Sequence, residues 1–88
     1  MTQRNADVDK FGAGIVVRAV YATIARSGEW IAYSDVISNA KGYLEGFYPD
    51  VLSSMSEQGL VDAANTALGM LEERWYIGRD ADKYIFLG

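Results

Sequence analysis

Near its C-terminus the chain changes period. Val61, Ala64, Leu68, Leu71 and Trp75 recur at spacings of 3, 4, 3 and 4, which places them on one face of an α-helix. Trp75-Tyr76-Ile77 and Tyr84-Ile85-Phe86-Leu87 follow, dense in the aromatic and β-branched residues that suit a pleated surface. The polar run Gly78-Arg79-Asp80-Ala81-Asp82-Lys83 lies between them. These features predict a long helix over about 60–74 that runs straight into a closing β-hairpin. Asp62 near the helix start and Arg74 at its end complement the helix dipole. Trp75, Ile77, Ile85 and Leu87 are expected to supply the apolar area that covers the long helix.

Upstream, residues 1–6 read as a flexible tail and 7–88 as one domain. A first helix is predicted from Asp7, its N-cap, to Arg26, with Asp9 in the first turn. Val8, Phe11, Ile15, Ala22 and Ala25 share a face, and Val16, Val20, Thr23 and Ile24 widen it, leaving Arg18 and Arg26 as the clear interruptions. Such a helix is either covered by its own domain or leaves one side for a second copy, with Gly12, Gly14 and Ala19 permitting close approach. Gly28 is placed to stop it in a left-handed conformation. Glu29 to Tyr33 reads as a short β-like run, and Ser34 as the N-cap of a second helix from Asp35 to Glu45 with Gly46 as its stop. Val36, Ile37, Ala40, Tyr43 and Leu44 form its apolar stripe. Pro49 suits the first position of a short helix that buries Val51, Leu52 and Met55 and ends at Gly59.

The order of helix, short strand, helix, short helix, long helix and hairpin resembles the winged-helix family. The resemblance rests on Glu29-Trp30-Ile31-Ala32-Tyr33-Ser34-Asp35-Val36 and on Ala67-Leu68-Gly69-Met70-Leu71-Glu72-Glu73-Arg74-Trp75-Tyr76-Ile77. In that family a recognition helix commonly steps into the wing through a Leu-Glu-x-x-Gly-Tyr-Ile-like sequence; here Trp75 stands where glycine is common. The resemblance implies a small, mostly helical α+β domain with a C-terminal β-hairpin, used either on DNA or on protein. A DNA-reading helix-turn-helix joins its helices by about 3–4 residues, whereas Gly46 to Gly59 intervene here.

The 88 residues include no cysteine and no histidine. That removes disulfides, thiolate nucleophiles, Cys-type zinc sites and the usual general base. Glu72 and Glu73 are adjacent on a helix and point apart, Ser53, Ser54 and Ser56 have no histidine to activate them, and Asp80 with Asp82 are too few for a calcium loop. Gly12-x-Gly14 lacks the strand and spacing of a dinucleotide site. A non-enzymatic protein without cofactor or metal is expected. The apolar stretch Phe11 to Ala25 is too short, and too charged at Arg18, for a membrane span of about 20 residues. The start has no signal-peptide pattern, and a cytoplasmic location is expected.

Twelve acids against eight cations give a net charge of −4. Residues 1–27 sum to +2 and residues 28–74 to −6. The expected function is a small acidic protein-interaction module, a regulator, adaptor or inhibitor, whose partner offers a basic surface. In size and charge alone it is similar to phage-type inhibitors such as anti-CRISPR proteins. Glu45, Phe47, Tyr48 and Asp50 would give aromatic anchors in an anionic rim, extended by Asp62, Glu72 and Glu73; Tyr43 and Tyr76 are further anchors expected to be partly exposed. Phe47 and Tyr48 have a second reading as plugs between helices. The alternative function is a winged-helix DNA-binding regulator, with Asn65 and Thr66 at base edges and Arg74, Arg79 and Lys83 on phosphates or in a minor groove. A homodimer through the first helix completes the expected partners.

Overall fold

The computed structural model describes the backbone of residues 2–88 and the side chains of residues 14–88. The elements are α1 (Thr2–Ser27), β1 (Ile31–Ala32), α2 (Tyr33–Phe47), α3 (Pro49–Ser53), α4 (Glu57–Glu73), β2 (Ile77–Asp80) and β3 (Lys83–Phe86). The chain is thus a mostly helical α+β domain with a C-terminal β-hairpin. α1 starts at Thr2, upstream of the Asp7 cap that the sequence predicts; no Gly or Pro in residues 2–6 breaks it. The expectations for the side chains of Asp7, Val8, Asp9 and Phe11, and for Gly12, lie outside the described side chains. α1 ends at Ser27, and Gly28 takes the left-handed φ of 70° expected of it.

α1 packs against α2, α4 and β3. Val16, Val20 and Ile24 of α1, Val36 and Leu44 of α2, and Ile77 of β2 are almost completely buried, and Leu60, Leu68, Leu71 and Tyr84 join them. Each such aliphatic side chain contributes roughly 1.5–3 kcal/mol, which is how so small a domain offsets its chain entropy. The buried strip of α1 is centred on Val16 and Val20, while Ala22 and Ala25 are only partly covered.

β1 and β2 both pair antiparallel with β3, giving the sheet order β1-β3-β2. The hairpin turn contains only Ala81 and Asp82, with Ala81 at φ 57°. The Asp82 carbonyl accepts a 2.7 Å hydrogen bond from the Tyr33 N–H, one of the orphan donors at the start of α2. This backbone cap moves the α2 start to Tyr33 and leaves Ser34 inside the helix rather than at its N-cap. The helix also continues past Gly46 to Phe47, since the Tyr48 N–H still donates to the Leu44 carbonyl. Pro49 then opens α3, as expected.

Gly59 does not end the short helix. Ser56 is the N-cap of α4, and its Oγ accepts from the Gly59 N–H at 2.9 Å. A Cβ at Gly59 would stand 3.1 Å from that Oγ, so the missing side chain gives the cap its room. Ile77 of the hairpin is buried as expected, but β3 turns the opposite face inward from the one expected. The register Ile77↔Phe86 and Arg79↔Tyr84 sets Ile77, Tyr84 and Phe86 on the core side. Leu87 is largely exposed and Trp75 is 80% exposed, so neither covers the long helix.

Candidate interaction surfaces

Phe47 is the last residue of α2 and is 63% exposed, although its size favours burial. Its ring is held by Tyr43 one turn earlier, with centroids 4.8 Å apart, and Tyr43 in turn lies 6.4 Å from Tyr48. The Arg26 guanidinium stands 5.9 Å from the Tyr43 ring centroid, a cation–π distance. Tyr48 is partly buried against the core, so it plugs the gap between helices while Phe47 projects. Glu45 and Asp50 on either side of the turn are exposed. The cluster in space is aromatic: the exposed Phe47 ring with Tyr43 and Tyr48 behind it; Glu45, two residues before Phe47 on α2, points to another side of the helix.

Asp62, Glu72 and Glu73 do not join that cluster. Lys41 Nζ lies 3.9 Å from Glu57 Oε1, and Tyr33 Oη donates to Asn65 Oδ1 at 2.7 Å. These two contacts make α2 and α4 antiparallel. At about 1.5 Å per residue, Phe47 and Glu73 stand at opposite ends of the pair, on the order of 30 Å apart. Asp62, between them, accepts from Gln58 Nε2 on its own helix. Glu72 is engaged by Arg79 of β2 at 3.1 Å. The predicted acidic surface is thus divided, with its aromatic part at one end only.

The residues of the DNA alternative are equally specific in their placement. The solvent side of α4 carries Gln58, Asp62, Asn65, Thr66, Gly69, Met70 and Glu73, with no cation before Arg74. The Thr66 hydroxyl donates to the Asp62 carbonyl at 3.0 Å, and Asn65 Oδ1 is taken by Tyr33. Arg79 is neutralised by Glu72, while Lys83 is exposed and sits opposite Asp80 in the hairpin register. A phosphate backbone calls for several free cations along the docking helix. α4 presents acids instead.

The sequence marks Trp75 as standing where glycine is common but gives no sign that its ring is exposed. Arg74 is the C-cap of α4, the Trp75 N–H donates to the Glu72 carbonyl, and the Tyr76 N–H donates to the Leu71 carbonyl. That is the Schellman pattern, in which the residue after the cap is left-handed and usually glycine. Trp75 occupies it at φ 65°. The signal was in the sequence: a tryptophan stands where glycine is common after a helix. Tyr76 and Leu87 beside it are also exposed.

Arg18, read only as an interruption of an apolar helix, lines a groove. The groove has a volume of about 320 Å³ and is bounded by Gly14, Val17, Arg18 and Tyr21 of α1 with Leu71 and Tyr76. Tyr21 packs edge-on against Tyr76 and Phe86. Among the described residues no cluster of acidic side chains converges to hold a metal, and no helix is long and apolar enough to cross a membrane. No family model, no curated protein and no solved structure matches the chain.

Proposed function

We propose that this chain is a non-enzymatic protein-interaction module of winged-helix-like architecture, acting as a regulator, adaptor or inhibitor on a partner with a basic surface. The observation that carries the reading is the exposed Phe47 ring, braced by Tyr43, in a stretch of chain that also exposes Glu45 and Asp50. An aromatic anchor held in a fixed orientation loses little entropy on docking, and the carboxylates of that stretch draw in a cationic partner. The element order and the sheet order β1-β3-β2 support the winged-helix-like description. The acidic solvent side of α4 favours protein over DNA as its target.

The test is retention of a protein from source-cell lysate by the wild-type chain, by Glu45→Lys/Asp50→Lys and by Phe47→Ala. The reading predicts a retained protein that associates more slowly with the charge-reversed variant and dissociates faster from Phe47→Ala. Retention indifferent to both changes would contradict it. So would binding of duplex DNA at low salt that falls steeply as salt rises.

A further inference from the structure

We propose that the groove between α1 and the end of α4 is a second docking site, which takes an acidic, apolar peptide segment of another protein. It is separate from the Phe47 surface and does not depend on it. The first ground is strain. A bulky residue at positive φ is a genuine outlier, and such strain clusters at ligand clamps and other functional sites. Trp75 holds that conformation while 80% exposed, next in the chain to the groove-lining Tyr76.

The second ground is local charge. Arg18 is exposed, lines an otherwise apolar groove, and has no ion-pair partner among the described residues. The other lining residues, Gly14, Val17, Tyr21, Leu71 and Tyr76, carry no charge. The groove therefore offers one guanidinium, unpaired among the described residues, beside a cleft sized for a side chain, the complement of a carboxylate next to a Leu, Phe or Trp. A nucleic-acid strand needs a track of cations, and the groove lining holds one, Arg18.

The probe is a pool of nine-residue blocked peptides with Asp or Glu on both sides of a central Leu, Phe or Trp, compared with the same pool carrying Lys at the acidic positions. Amide and indole N–H resonances of the isotope-labelled chain report binding. The acidic pool is expected to shift Gly14, Val17, Tyr21, Tyr76 and the Trp75 indole, and the lysine pool to leave them unmoved. Arg18→Glu is expected to reverse that preference. Trp75→Gly is expected to weaken the acidic pool about tenfold without lowering the melting temperature by more than a few degrees. The proposal is overturned if the acidic pool leaves these resonances unmoved or both pools act alike. It is equally overturned if the resonances respond instead to oligo-dT, to phosphatidylserine vesicles or to raised protein concentration alone.

Discussion

Replacing Trp75 by alanine and by glycine separates what its ring contributes from what its backbone costs. The side chain is 80% exposed, so a fifth of its surface is covered. For an aromatic of up to roughly 250 Å² that is about 50 Å², which contributes about 1.2 kcal/mol at 25 cal/mol/Å². Trp75→Ala removes this and keeps the left-handed φ of 65°; it should destabilise the domain by about 1 kcal/mol. Trp75→Gly removes the same contacts and also relieves a left-handed penalty of about 1–2 kcal/mol. Against that relief stands glycine's extra unfolded-state entropy of about 0.5–1 kcal/mol. The glycine variant should therefore be the more stable of the two and close to wild type. Urea or thermal unfolding resolves the difference, since 1 kcal/mol moves the midpoint of a domain this size by about 4–8 °C. A loss above about 3 kcal/mol for alanine, the range of a buried aromatic, would refute the reasoning. So would a glycine variant less stable than the alanine one.

Other predictions follow from the packing. Deleting residues 84–88 removes Tyr84 and Phe86 from the core and leaves β1 and β2 without their shared partner, so the domain should lose several kcal/mol; an unchanged melting temperature would exclude this. Val20→Asp places a charge in a fully buried position and should unfold the chain by circular dichroism, whereas Val17→Asp, at the groove wall, should stay folded and report by sedimentation on any self-association through α1. Ser56→Ala removes the α4 cap and should lower stability by about 0.5–2 kcal/mol in denaturant unfolding.

The helices and the hairpin were legible because their apolar residues keep a strict period: Val36, Ala40 and Leu44, then Ala64, Leu68 and Leu71, are buried as their spacing requires. The misread points depend on partners distant in sequence or on a single φ. β1 is only Ile31–Ala32, and it is a strand because β3 pairs with it. Ser34 looked like a cap, but the Asp82 carbonyl reaches Tyr33 first. Gly59 looked like a stop, but a glycine three residues after a serine also makes room for an N-cap. The inward face of the hairpin is set by a register that the sequence alone does not fix, which is why Ile85 and Leu87 were assigned the place of Tyr84 and Phe86. Of the candidate sites, the Phe47 ring on Tyr43 was legible because residues four apart on a helix share a face. The separation of Glu72 and Glu73 from them was not, because it follows from α2 and α4 running antiparallel. The Arg18 groove exists only once α1 is packed against the end of α4 and Tyr76 beyond it.

The central claim is that the chain works through a protein contact at Phe47 and not through DNA on α4. Photo-crosslinking amino acids placed at position 47 and at position 70, on the solvent side of α4, test both surfaces in one lysate. The account predicts a discrete protein adduct at position 47, lost when Glu45 and Asp50 are reversed to lysine, and no nucleic-acid adduct at position 70. A nucleic-acid adduct at position 70 with none at position 47 would contradict it.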